Sequence, residues 1–283
     1  MICLKKGLNE GKNVFLVHDG SGEVGQYLEL CKLLSSDISC WGVRFEHPTN
    51  YLPVKTSVEE LAGKYIVGIK EIQADGPYHI VGGCIGGILA FEVVSQLERK
   101  GDHVDLLALM DSPAPEKNIN GINFDMDTEK RLINYLFTDP DLNDEISQIN
   151  EIDKIWDVTV ERLEGKPEVL ENARKLLPAS IARMRQFIET DLAGFVYYLC
   201  VNRTLNTAVS SYTPSRKIEA PVYYFEAIND IIIQNKTANL KRWELCCQNR
   251  IKRIIAVSNH FEMYNPPDIY NLVELIEEKM GRC

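Results

Sequence analysis

Residues 82–87 read Gly-Gly-Cys-Ile-Gly-Gly, which puts Cys84 in a G-x-nucleophile-x-G frame. The frame lies between an apolar strand signal at Tyr78–Val81 and a helical stretch at Ile85–Lys100. A side chain in so tight a strand-to-helix turn is held up at the mouth of the helix, and glycines on either side avoid clashes with strand and helix. The helix dipole there favours a thiolate. The backbone N–H of Ile85 is placed to donate to a developing oxyanion. Such a thiolate attacks carbonyl carbon and forms a covalent acyl intermediate.

The chain order and turn type resemble the nucleophile elbow of α/β-hydrolases. A nucleophile of this kind needs a base, and five histidines compete. His47 lies beside Pro48 in a loop signal, His79 lies inside a strand, His103 precedes one, and His18 ends the first. His260 follows the strand signal Ile251–Val257, on a loop before the last helix. That is the carboxyl end of a sheet, where open α/β folds bind ligands. The base in turn needs an orienting carboxylate. Asp111 ends the strand Val104–Met110, and Asp230 follows the next strand; Asp111, at the strand tip beside the elbow, is preferred and Asp230 is the alternative.

A second glycine pattern competes. Gly20, Gly22 and Gly25 form a literal G-x-G-x-x-G, with Glu46 at the distance of a ribose-binding acid. His18 and Asp19 intervene between the apolar run and the first glycine, where a dinucleotide site needs a tight turn. The pattern also explains nothing else in the chain, so dinucleotide binding is set aside.

The elements that must position Cys84 alternate in type. Strand signals at Val14–Val17, Ile38–Phe45, Tyr78–Val81 and Val104–Met110 are separated by helical stretches at Val24–Leu34, Ser57–Ile72 and Ile85–Lys100. Ser57 and Glu60 form a capping box, Gly76-Pro77 is a breaker and Gly101 a helix stop. Continuous apolar strands between helices predict a mostly parallel sheet in an α/β fold. From about Glu116 to Thr213 no strand signal occurs. Helices are predicted at Glu129–Phe137, Ile155–Leu163 and, as one long element, Pro178 to about Ala208. Strands resume at Pro221–Glu226 and Ile251–Val257, and a last helix with Pro266 in its first turn runs to about Lys279. The expectation is a single domain, 1–283, with a helical insertion at about 116–213.

Composition bounds the partners. The chain has 283 residues, 45% hydrophobic and 25% charged, enough for a sizeable core. Its net charge of −10 argues against nucleic acid and anionic membrane surfaces. There is no transmembrane-length apolar run, and the opening residues lack a signal-peptide core, so a cytoplasmic protein is expected. The eight cysteines show no C-x-x-C spacing, which leaves most as small apolar core residues and makes zinc an unsuitable cofactor.

The stretch GPYHIVGGCIGGILAFEVVSQLERKG…LLALMDSPAP is similar to the thioesterase domains that end nonribosomal peptide and polyketide synthetases. The likeness rests on Gly76-Pro77-Tyr78, Gly86-Gly87, Phe91-Glu92 and Asp111-Ser112-Pro113. It extends to VFLVHDGSG at the first strand and to SNHFEMY, where Ser258 replaces a usual glycine. The resemblance implies an α/β-hydrolase fold with the helical insertion as a lid. It implies Cys84 as nucleophile, Asp111 as acid and His260 as base, with the N–H groups of Ile85 and Gly20 as oxyanion donors. It implies no bound cofactor, because phosphopantetheine arrives on an upstream acyl or peptidyl carrier protein, and release by hydrolysis or cyclisation. Cysteine stands where serine is commoner. The His-Ser-Met-Gly elbow of stand-alone editing thioesterases is absent, which favours the product-releasing type. Two other readings stay open: a small-ester or lactone hydrolase of the dienelactone type, and a non-catalytic binding protein on a hydrolase fold.

Overall fold

The computed structural model describes residues 1–8, 12–46, 51–116, 124–182, 184–229 and 233–281. Seven strands form one sheet: β1 (Ile2–Lys5), β2 (Asn13–Val17), β3 (Ser39–Val43), β4 (Tyr78–Gly83), β5 (Val104–Met110), β6 (Val222–Asn229) and β7 (Lys252–Asn259). Their order is β1-β3-β2-β4-β5-β6-β7. All neighbours run parallel except β1, which pairs antiparallel with β3 at the edge. The apolar runs are explained by position: every residue of β2 and β4 is buried. Consecutive strands β2 and β3 step one way, and β4 returns to the other side of β2. The sheet therefore changes direction between β2 and β4, the switch point at which open α/β sheets bind ligands.

Helices α1 (Leu28–Leu33), α2 (Val58–Ile72) and α3 (Gly86–Arg99) connect the first strands. The Ser57 capping box forms as the spacing predicts: Glu60 N–H donates to Ser57 Oγ at 3.2 Å, and Ser57 N–H donates to Glu60 Oε2 at 3.1 Å. Then follow α4 (Met126–Leu136), α5 (Pro140–Ser147), α6 (Ile152–Leu163), α7 (Pro167–Leu176), α8 (Ala179–Ala182), α9 (Arg185–Ile188) and α10 (Leu192–Ser210). Helix α11 (Lys236–Leu245) lies between β6 and β7, and α12 (Ile269–Lys279) follows β7.

Four sequence expectations change. The single helix expected from Pro178 to Ala208 is three helices. Met184 is extended, and Asp191 starts α10 afresh by accepting the Gly194 N–H at 2.8 Å. Helices α5 and α7, with Pro140 and Pro167 in their first turns, add to the helices expected in the insertion. Strand β1 and helix α11 add to the elements the sequence predicts. The first is an exposed to half-buried edge strand, and the second buries only Asn239 and Trp243, so neither shows an apolar stripe. The last helix begins at Ile269, beyond Pro266, because Asp268 turns its carboxylate to the end of β7.

The chain divides into two compact units. One comprises Met1–Phe45, Thr56–Ile119 and Ala208–Cys283; the other comprises Glu46–Lys55 and Asn120–Thr207. The first holds the sheet and an apolar cluster built from β2, β5, β6, α1 and α12, including Leu16, Tyr27, Met110, Phe225 and Leu272. The second is helical, around Ile133, Phe137, Trp156, Phe187 and Phe195. Inside it Glu129, fully buried, accepts from Arg203 at 2.5 Å and from the Trp156 indole at 2.7 Å. No helix among the described residues is long and apolar enough to cross a membrane.

Candidate active site

Cys84 sits one residue past β4 with φ +53°, in the left-handed region. Its N–H donates to Met110 O at 3.0 Å, which extends the β4–β5 ladder by one step. The Gly87 N–H and the Ser112 hydroxyl hold its carbonyl, at 3.1 and 2.6 Å. The surrounding glycines are there because of close approach. A Cβ at Gly86 would lie 1.8 Å from the His18 carbonyl oxygen, and one at Gly83 would lie 1.9 Å from the Tyr264 hydroxyl. At Gly87 it would meet Ser112 Oγ at 2.1 Å, and at Gly82 the Gly86 carbonyl at 2.6 Å. The glycine-rich turn after β2 is thus pressed against the start of α3. In that turn Gly22 has φ +79° and donates its N–H to Asp19 O at 3.1 Å, a need for glycine that involves no dinucleotide. Ile85 is the N-cap of α3, so its N–H lies at the positive end of that helix.

Asp111, also one residue past its strand, has φ +44° and is fully buried. Its N–H donates to Phe225 O at 2.7 Å, its Oδ1 accepts the Ala227 N–H at 3.1 Å, and its Oδ2 accepts from His260 Nδ1 at 2.8 Å. His260 follows β7 directly and is buried. Asn259 Oδ1 fixes the turn that carries it by accepting the N–H groups of Phe261 and Glu262, at 3.0 and 3.1 Å. Asp268 anchors the end of β7 through the N–H groups of Val257 and Ser258, at 2.7 and 2.8 Å. Cys84 acts on the imidazole by charge. Burial works to lower the His260 pKa, but the negative charge of Cys84 and the hydrogen bond to Asp111 outweigh it and raise it to about 10. His260 therefore lies where a charged imidazole is favoured by the carboxylate it bonds.

The other described histidines stand in different surroundings. His18 is buried and pushed down to about 4 by desolvation. Its Nδ1–H donates to Asp19 O and its Nε2 accepts from the Tyr65 hydroxyl, both at 2.6 Å, which assigns the neutral tautomer from its partners. His79 is buried in β4, 3.8 Å from Asp105, and burial lowers its pKa. His103 lies at the opposite edge of the sheet, in a cleft of about 440 Å³ with Glu98, Asp102, Arg216 and Glu219. Glu98 there is already occupied by the N–H groups of Glu219 and Ala220. His47 and Asp230 lie outside the described residues. The described cysteines form no disulfide, and Cys31, Cys40, Cys200 and Cys247 are buried.

Several supporting residues escaped the sequence reading. Asn239 and Trp243 of α11 both donate to Ser112 O at 3.0 Å, and Asn239 Oδ1 accepts the Ala114 N–H at 2.6 Å. They hold the loop after Asp111, yet they stand about 130 residues from it in sequence, with no local signal to connect them. Asn259, directly before a candidate histidine, was the one such residue with a legible turn signal.

A parallel sheet with a strained elbow, and with nucleophile, acid and histidine candidates in that chain order, defines an α/β-hydrolase fold. A family model described as the thioesterase domain matches residues 12–280, and the chain belongs to that family. Inactive atromentin synthetase invA6 of Paxillus involutus is 39% identical over 100 residues, 35% of this chain and 10% of that relative. Malpibaldin synthetase of Mortierella alpina is 38% identical over 101 residues, 36% of this chain and 2% of that relative. The chain therefore spans a tenth or less of the length of these two relatives. Among solved structures, the four-domain nonribosomal peptide synthetase AB3403 matches 100% of this chain and 20% of its own, with a TM-score of 0.64 and 20% identity, a likeness of fold.

Proposed function

We propose that this thioesterase domain is of the product-releasing type and takes an acyl or peptidyl chain from the phosphopantetheine thioester of an upstream carrier protein. The Cys84 thiolate attacks the thioester carbonyl, the N–H groups of Ile85 and Gly20 receive the oxyanion, and the pantetheine thiol leaves with the proton of His260. Water, or an amine or hydroxyl, then attacks the acyl-enzyme with His260 as base and Asp111 orienting it. The protein supplies no resident cofactor in this reading; phosphopantetheine is part of the substrate. The domain works in the cytoplasm beside its carrier, and the helical segment at about 116–213 is its lid, part of one functional domain with the sheet.

The observation that carries the reading is the 2.8 Å bond from His260 to Asp111, with Cys84 acting on the same imidazole by charge. A dienelactone-type site takes its acid from the loop after the later strand. The engagement of Asp111 favours the thioesterase reading, and an imidazole bonded to a buried acid and within the field of a thiol disfavours an inert scaffold. The test is to offer N-acetylcysteamine-linked acyl and peptidyl thioesters and follow the protein by mass spectrometry. An acyl adduct on Cys84 that turns over is expected. Turnover with no adduct, or an adduct elsewhere, would overturn the proposal.

A further inference from the structure

The turn after β2 carries an acidic side chain that this mechanism does not use. Asp19 stands between His18, whose carbonyl oxygen abuts the elbow at Gly86, and Gly20. Its Oδ1 accepts the Ser21 N–H at 2.8 Å and the Ser21 hydroxyl at 2.6 Å. Its Oδ2 makes no hydrogen bond among the described residues, and the side chain is half-buried. Asp19 interacts by charge with His260, and both Asp19 and Cys84 act on the buried Tyr27 and Tyr264. The carboxylate therefore shares one electrostatic environment with the reacting pair.

A negative charge in that place opposes the chemistry, because it repels the charge that develops on the thioester oxygen. Burial raises the Asp19 pKa, while the Ser21 bonds and the His260 charge pull it back. A cation brought to Oδ2 removes the conflict. An amine nucleophile arrives as such a cation.

We propose that Asp19 binds, as an ammonium ion, the amine that attacks the acyl-enzyme on Cys84, and so selects amide formation over hydrolysis. The proposal rests on the acyl-enzyme reading. One ammonium proton passes to the Asp19 carboxylate, which frees the nitrogen lone pair. The nitrogen attacks the thioester carbonyl carbon, and the C–N bond forms as the C–S bond breaks. His260, neutral after the pantetheine thiol has left, takes the second proton. Cys84 departs as a thiolate, which restores the thiolate–imidazolium pair, and Asp19 returns its proton to water. The amine is either the free end of the bound chain, which closes a ring, or a separate molecule.

The test compares the intact protein with Asp19→Asn, which keeps an Oδ1 acceptor for Ser21, and with Asp19→Glu. Each is given hexanoyl N-acetylcysteamine with n-butylamine and, in a second arm, a peptidyl thioester with a free terminal amine. Amide and acid are quantified per Cys84 adduct formed. The amide-to-acid ratio is expected to fall about tenfold or more in Asp19→Asn, the loss of one charge-assisted contact, and to recover in part in Asp19→Glu. Hydroxylamine, uncharged at mildly alkaline pH, serves as the control nucleophile, and its capture should suffer far less. The second arm alone showing the effect identifies the internal amine, and the first alone a separate acceptor; either outcome supports the assignment. An unchanged ratio in both arms, or an equal loss with hydroxylamine, overturns it while leaving the acyl-enzyme standing. Absence of any Cys84 adduct in the unaltered protein overturns the acyl-enzyme reading itself, and this one with it.

Discussion

Cys84 and Asp111 are the non-glycine residues with positive φ among the described residues, and both stand one step beyond the end of a strand. Such backbone costs roughly 1–3 kcal/mol per residue and persists where the surroundings over-determine it. Here the ladder bonds to Met110 and Phe225 do so. Replacing Cys84 by Ala, His260 by Ala or Asp111 by Asn is expected to lower turnover of an N-acetylcysteamine thioester while each protein stays folded. For the histidine the loss should be about 10²–10⁴-fold. A near-normal rate for Asp111→Asn would promote Asp230 to the acid. The charge on Cys84 is also a main cause of the raised His260 pKa, about 10 against an ordinary 6.5. In Cys84→Ala, the His260 ring observed by NMR should therefore titrate at distinctly lower pH. The sign for stability follows: a raised histidine pKa stabilises the fold fully below about 6.5, and this contribution is lost as pH rises through about 10. Cys84→Ala should lose it at lower pH, and denaturant unfolding against pH measures the difference.

At the scale of elements, the elbow is a packing solution between a strand, a helix and two loops. Four of its glycines face neighbours that leave no room for a methyl group, and the neighbours differ in kind. At Gly86 the obstacle is the His18 carbonyl, part of the backbone, and it cannot move aside. At Gly83 the nearest obstacle is the tip of the Tyr264 side chain. Gly86→Ala should destabilise the protein by at least about 1–3 kcal/mol in denaturant unfolding. Gly83→Ala should cost less in a Tyr264→Phe background than alone, a coupling that a double-mutant cycle reads directly. Additive losses would show that Gly83 is needed for some reason other than the hydroxyl. Helix α11 belongs to the same construction, since Asn239 and Trp243 tie down Ser112, which in turn holds the Cys84 carbonyl.

Across the whole molecule, the two units are stabilised by different means. The sheet unit rests on continuous apolar strands, whereas the helical unit combines an apolar cluster with a buried ion pair between Glu129 and Arg203. Removing one partner of a buried pair leaves an uncompensated charge and typically costs about 3–5 kcal/mol. Glu129→Ala should therefore raise amide hydrogen exchange through 124–182 and 184–207, with little change in β2, β4 and β5. Equal loosening of the strands would show instead that the two units unfold as one.

Local pattern alone determined a large part of this protein. The α/β alternation, the capping box at Ser57, the elbow at Cys84 and the late position of His260 are written in short windows, because glycine placement and apolar period act over a few residues. The weaker signals failed for equally local reasons. Strand β1 lies at an edge, α11 buries only two side chains, and the Asp191 cap interrupts a periodicity that continues on both sides of it. The tertiary structure decided what distance in sequence conceals. It joined Asp111 to His260 across 149 residues, and it seated the β2 turn against Gly86. It also left one oxygen of Asp19 without a hydrogen bond among the described residues, within the field of His260. Residue type can nominate an acid, a base and a nucleophile, but only the register of neighbouring parallel strands sets which of them meet, because each strand end brings one loop to the same edge of the sheet.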